Sequence, residues 1–313
     1  MSEQALPSYI DGAWVAPLSS TQTFEAINPA TEQRAALVAI CGPDDVDRAV
    51  TAARRAFPAY AALPLEDRIA LIERLIAVFE RRYGEMVDAI STEMGAPYDL
   101  SFNSQAECGP GHLRETIRAA REMAWTQPIG SDAQLLREPI GVCVAITPWN
   151  WPINQIAAKI GPALVTGCTV VLKPSEIAPL SAQLFAEFID EAGFPPGVFN
   201  MVHGTGAAIG DVLTSHPEVD MVSFTGSTRA GIRVAKSAAD TVKRVSQELG
   251  GKSANIVFAD ADLEAAVTRG VRHCFENSGQ SCNAPTRMLV EASAYDAAVA
   301  IAARVAAIAT AAS

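Results

Sequence analysis

From residue 141 onward the chain alternates short apolar runs with segments of helical periodicity, and this alternation restricts the fold more than any other feature of the sequence. Residues 141–146 (GVCVAI) read as a buried strand and 153–166 as a helix. Residues 169–172 (TVVL) read as a strand, and 180–192 as a helix that stops at Gly193, a residue suited to the left-handed turn after a helix. A strand at 198–202, a helix from about 206, a strand at 219–224, a helix after Gly226 and a strand at 242–249 continue the pattern. Strand and helix alternating in short units imply a parallel sheet with helices on both faces. Such sheets take their ligands at the C-terminal ends of the strands.

The first 140 residues read mostly as scaffold. Tyr9-Ile10 and Trp14-Val15 flank Asp11-Gly12, the turn of a surface hairpin. Asn28-Pro29-Ala30-Thr31 reads as a turn. Amphipathic helices are expected over 44–62 and from 64 to about 79, one with Val46, Ala49, Val50 and Ala53 on a stripe, the other with Ile69, Ile72, Leu75, Ile76 and Phe79. The polar stretch 126–139 reads as strands with an open side, a hairpin that could pair with another subunit. At the far end, a strand at 254–258, a helix at 262–276 and a strand at 286–290 precede an alanine-rich helix from about 294 that frays across 309–313.

Composition narrows the function. The 313 residues suffice for about two domains, and 49% hydrophobic residues allow a large core. A net charge of -11 argues against nucleic-acid binding, which needs clustered Lys and Arg. Six cysteines are scattered without a CxxC pair, so no zinc or thioredoxin-like site is expected and the thiols read as reduced. The N-terminus lacks the charged and apolar regions of a signal peptide, and no window is apolar enough to span a bilayer. A cytoplasmic protein is the expectation.

Several loops carry candidate chemistry. Gly204-Thr205-Gly206 and 224–231 (FTGSTRAG) leave strands and enter helices, where glycine lets backbone approach a phosphate. A tight turn explains each about as well. Lys173-Pro174-Ser175-Glu176 follows a strand at the place where a nucleotide ribose would lie; a solvated charge pair is the alternative. Pro148-Trp149-Asn150-Trp151-Pro152 makes a stiff loop with a candidate oxyanion donor, or a packing loop. Glu248, beside a glycine pair, could act as a general base. Cys282, among small residues, could act as a nucleophile or be an inert thiol. His203 and His273 read as structural, and Cys143 and Cys168 as core.

The segments PWNWP, KPSE, FTGSTRAG, ELGGKSAN and NSGQSC, with YIDGAW and NPAT near the start, together resemble the aldehyde dehydrogenase superfamily across essentially the whole chain. The run NSGQSCNAPTRMLV looks like a bacterial branch that includes semialdehyde and oxo-fatty-acid dehydrogenases. The resemblance implies an α/β, aldehyde-dehydrogenase-like fold, a parallel Rossmann-type sheet with a second, here incomplete, α/β catalytic domain. It divides the chain into a dinucleotide-binding domain (1–120 and 140–250), an oligomerisation hairpin (121–139) and a partial catalytic domain (251–313). It further implies oxidation of a small-molecule aldehyde to a carboxylic acid with NAD. Cys282 would be the nucleophile, Asn150 and the Cys282 backbone N–H the oxyanion donors, and Glu248 the base that hydrolyses a thioester.

By the same resemblance Lys173 and Glu176 would hold the adenosine ribose, with Glu176 favouring NAD over NADP. The helix entered at Gly226 and Ser227 would face the pyrophosphate, and Thr147, Trp149 and Gly206 would line the cleft. Ser175, Gly210, Phe224, Thr225, Gly231, Leu249 and Gly250 complete the cofactor set. Trp151, Asn154, Gln155, Ser281 and Asn283 would face the substrate. A homodimer or homotetramer is implied, and no metal. The sequence departs from the family in lacking the later EIFGP-like segment and interface strand. One βαβα unit cannot cover both its faces, so exposed apolar surface and little dehydrogenase activity are expected of this chain. The rival readings are an NADP-preferring semialdehyde dehydrogenase and a catalytically impaired relative serving as a binding module.

Overall fold

The computed structural model describes residues 4–308, so the expected fraying over 309–313 and the first residues of the N-terminal segment lie outside the described residues. The chain divides into two compact units, one up to Glu248 and one from Leu249 on.

In the first unit β1 (Ser8–Ile10) and β2 (Ala13–Val15) form a hairpin, and β3 (Thr23–Ile27) and β4 (Arg34–Ala39) a second antiparallel pair. Helices α1 (Pro43–Ala61), α2 (Leu65–Arg81), α3 (Tyr83–Met94) and a short α4 (Tyr98–Leu100) follow, then a π-helical turn over Ser101–Gln105 and α5 (Cys108–Glu122). The hairpin β5 (Thr126–Ile129) and β6 (Ala133–Leu136) leads into the alternating part. There lie β7 (Val142–Ile146), α6 (Pro152–Thr166), β8 (Thr169–Lys173), α7 (Leu180–Glu191), β9 (Phe199–Met201), α8 (Gly206–Ser215), β10 (Met221–Thr225), α9 (Thr228–Ala238) and β11 (Arg244–Glu248).

These strands form one seven-stranded sheet in the order β11-β10-β7-β8-β9-β1-β2. The five from β7 to β11 are parallel; β1 and β2 join antiparallel at one edge. Strands β7 and β8 are buried at every position, which suits their β-branched, two-sided apolar sequences. The chain leaves β7 toward β8 on one side and returns to β10 on the other. The crevice between the C-terminal ends of β7 and β10 is therefore the topological switch point. Helices α6 and α7 cover one face, backed by α2, α3 and α5; α1, α8 and α9 pack on the other. The main core runs through the first group, with Phe79, Phe185, Phe188, Leu75 and Ile160 among its fully buried side chains.

The first hairpin is a correction to the sequence reading. Its turn residues Asp11 and Gly12 do adopt positive φ, but β1 is fully buried against β9, and the Tyr9 hydroxyl donates to Asp190 Oδ1 at 2.7 Å. It is a sheet strand and not surface decoration. The pair β3–β4 and helices α3 to α5 were not read from sequence.

The second unit consists of β12 (Ala254–Val257), α10 (Leu263–Phe275), β13 (Arg287–Val290) and α11 (Tyr295–Ala307), with β12 and β13 parallel. Its core is small: Val257, Val267, Val271, Ala298 and Val305. Ile256, Phe258 and Leu289 are 61%, 62% and 51% exposed, the bare apolar surface expected of a single βαβα unit.

Candidate active site

Strand register brings the first unit's candidates to one end of the sheet. Ile146 pairs with Lys173 and with Phe224, and Thr225 pairs with Glu248. A cavity of about 520 Å³ opens beyond these ends, between β7, β8 and β10 and helices α8 and α9. That volume falls in the usual range of small-molecule sites, about 300–1,000 Å³. Four expected cofactor residues line it: Lys173, Gly206, Gly210 and Phe224. Ile146, Asp211, Arg229 and Arg233 line it too, and the sequence names none of them as a site residue: Ile146 reads as strand core, and Asp211, Arg229 and Arg233 meet only when α8 and α9 are folded side by side.

The first turns of two helices border the cavity. Helix α8 begins after Thr205, whose Oγ1 accepts from the Ala208 N–H at 3.1 Å; α9 begins after Ser227, whose Oγ accepts from the Ala230 N–H at 3.2 Å. Both helices point their N-termini, the positive ends of their dipoles, from the C-terminal end of the sheet. No atom lies within 4 Å of where a Cβ would stand on Gly206 or Gly210, so the approach to α8 is open.

Lys173 is buried, and its Nζ donates to the Pro174 carbonyl at 2.8 Å and to Glu176 Oε2 at 3.3 Å. Burial pulls the ammonium below its ordinary pKa, against the pull of Glu176. Ser175 is also buried, its Oγ accepting from the Ile177 N–H at 3.3 Å. Thr147 follows β7; its N–H donates to the Lys173 carbonyl at 3.2 Å, while its buried Oγ1 has no protein partner. An orphaned buried hydroxyl is costly unless a ligand satisfies it.

Trp149, Asn150 and Trp151 are half-buried in the loop between β7 and α6, and the Asn150 carbonyl accepts from Gln105 Nε2 at 3.1 Å. Asn154 Nδ2 donates to Cys108 Sγ at 3.2 Å. The Thr225 hydroxyl donates to Gln155 Oε1 at 3.0 Å, which ties β10 to α6 and uses the hydroxyl away from the α8–α9 cavity. The Gly226 N–H donates to the Glu248 carbonyl at 3.1 Å, and Gln247 Nε2 donates to the Gly231 carbonyl at 2.6 Å, fixing α9 on β11. Glu248 ends β11 with its side chain exposed.

One residue near Glu248 escaped the sequence reading. Lys159, the single charged residue of α6, donates from Nζ to Ser223 Oγ at 3.0 Å. Burial pushes its amine down to about 8, opposed by the negative charge of Glu248. A lysine in an otherwise apolar helix was the signal available. His203, by contrast, is the structural residue it was expected to be: fully buried, with Nε2 3.1 Å from Gln183 Oε1 and its pKa lowered to about 3, by burial first and by Lys173 second. His273 is exposed on α10.

The second unit holds Cys282, Ser281, Asn283, Leu249 and Gly250. Cys282 is exposed, as a nucleophile must be. The loop ahead of it turns through three successive left-handed residues, Asn277, Ser278 and Gly279, at φ 53°, 56° and 71°. Two of these are not glycine, and such strain clusters at functional loops. The Gln280 N–H donates to the Asn277 carbonyl at 3.0 Å and closes the turn. A Cβ on Gly251 would lie 2.7 Å from the Cys282 carbonyl oxygen, so only glycine permits that close approach. Among the described residues no group of three or more His, Cys, Asp or Glu is placed to hold a metal ion, and no helix is long and apolar enough to cross a membrane.

Comparison with known proteins adds the family. Residues 14–311 match the model of the aldehyde dehydrogenase family. A 3-succinoylsemialdehyde-pyridine dehydrogenase of a Pseudomonas species is 53% identical over 289 residues, 92% of this chain and 60% of that protein. Among solved structures, an aldehyde dehydrogenase from Bartonella henselae superposes with a TM-score of 0.94 at 48% identity, over 97% of this chain and 64% of that one. A mutant of aldehyde dehydrogenase C from Pseudomonas syringae, in complex with NAD+ and octanal, gives 0.93 at 47% identity, over 98% and 63%. The chain thus spans about 60% of the length of the curated relatives it matches.

Proposed function

The chain belongs to the aldehyde dehydrogenase family, and on that premise we propose that it carries the dinucleotide site and the nucleophile of an enzyme that oxidises an aldehyde to a carboxylic acid with NAD. The observation that carries the reading is the open cavity at the switch point, lined by buried Lys173 and by the first turns of two helices. A nicotinamide dinucleotide fits that donor set and, when bound, supplies the hydride acceptor. Lys173 and Glu176 hold the adenosine ribose, and Glu176 disfavours a 2′-phosphate by like charge. The N-termini of α8 and α9 serve the pyrophosphate.

On this reading the Cys282 thiolate adds to the aldehyde carbon and forms a thiohemiacetal, whose oxyanion is held by the Asn150 amide and the Cys282 N–H. Loss of hydride leaves a thioester on Cys282, and Glu248 takes a proton from the water that hydrolyses it. The polar groups of Asn154 and Gln155 beside Trp151 suit an aldehyde with both an apolar body and a hydrogen-bonding group. The fully exposed hairpin β5–β6 suits pairing with a second copy. Mass spectrometry of the Cys282 peptide after incubation with NAD+ and a semialdehyde tests the chemistry. An acyl adduct that persists in Glu248→Gln and is absent in Cys282→Ser is expected; an adduct on another cysteine, with Cys282 free, would refute it.

A further inference from the structure

A second group of sulfurs lies in the first unit, on the sheet face covered by α6. Met221 of β10 pairs directly with Cys143 of β7, and Cys143 pairs with Val170 of β8. Cys168 precedes Val170 by two residues, so it projects to the same face as Cys143 and Met221. All three line one cavity of about 630 Å³. The Cys168 sulfur accepts from the Thr166 hydroxyl at 3.5 Å.

We propose that Met221, Cys143 and Cys168 form a binding site for one soft monovalent cation, such as copper(I). Thiolate and thioether are the ligands that select copper(I) over harder ions. Two thiolates and one monovalent cation leave one negative charge, which Lys159 and Arg244 in the cavity wall offset.

The site is independent of the catalytic reading, since it uses neither Cys282 nor Glu248. Its test is anaerobic titration of the full chain with copper(I) against a chromophoric copper(I) chelator, followed by X-ray absorption of the loaded protein. One equivalent retained on a sulfur-only shell is expected, unchanged in Cys282→Ser, lost in Cys143→Ala and Cys168→Ala, and weakened about tenfold in Met221→Leu. The leucine variant conserves side-chain volume, so it reads the site even if the alanine variants fail to fold. No retained copper, a nitrogen or oxygen shell, or retention unaffected by Met221→Leu would overturn the proposal.

Discussion

At the scale of single residues the account turns on two lysines in the first unit. Lys173 is held by the Pro174 carbonyl and Glu176. A hydrogen bond from a charged group is worth about 1.5–3 kcal/mol, so Lys173→Met should weaken NAD+ binding roughly 10- to 100-fold in titration calorimetry. Lys159 carries a buried charge that folding disfavours. Its folded pKa of about 8 lies below the ordinary lysine value of 10.5, so between these values the unfolded chain binds more protons and stability rises with pH. The penalty is fully present below pH 8 and is relieved as pH approaches 10.5. Lys159→Met should therefore be more stable than the parent at pH 7, by up to about 3 kcal/mol, with the gap closing at pH 10.5. Denaturant melts at the two pH values check this, and a gap that widens at high pH would contradict it. Lys159 shows why the site was only partly legible. Lys173, Gly206 and Phe224 sit in loops and strand ends whose local pattern marks them, whereas Lys159 acquires its meaning from facing Ser223 and the charge of Glu248 across the sheet.

At the scale of elements, most of the alternating part could be read to within a few residues because β7 and β8 are short, fully buried runs rich in β-branched residues and α7 is followed by Gly193 at positive φ. Helices α3 to α5 could not. Helix α3 ends at Gly95 (φ 68°), a π-helical turn follows α4, and α5 opens on Cys-Gly-Pro-Gly, which blurs the 3.6 period and reads as loop. What holds these helices is tertiary. Glu93 of α3 is buried and accepts from the Leu180 N–H, the Ser181 N–H and the Ser181 hydroxyl, capping α7 from a distance. Glu93→Ala would leave those donors orphaned and should cost about 2–4 kcal/mol in chemical denaturation. In the second unit, the added methyl of Gly251→Ala must displace the Cys282 carbonyl. That overpacking is worth about 1–3 kcal/mol, and it should change the rate at which iodoacetamide labels Cys282. An unchanged rate would mean that the loop tolerates the methyl without moving the thiol.

At the scale of the whole molecule the two units differ in how they are sustained. The first has a seven-stranded sheet with helices on both faces; the second has two strands, five buried core residues and an apolar outer face. Local stability follows buried apolar contact, so amides of β12, β13 and α11 should exchange with solvent at least about tenfold faster than those of β7 and β8. The central claim is that the cavity at the switch point is a dinucleotide site, and equilibrium titration of the folded chain with NAD+ and NADP+ tests it most directly. Saturable binding of NAD+ at one site per chain, weaker for NADP+ and weakened by Lys173→Met, is the result the account predicts. Absence of binding by either nucleotide, or affinity indifferent to Lys173, would contradict it.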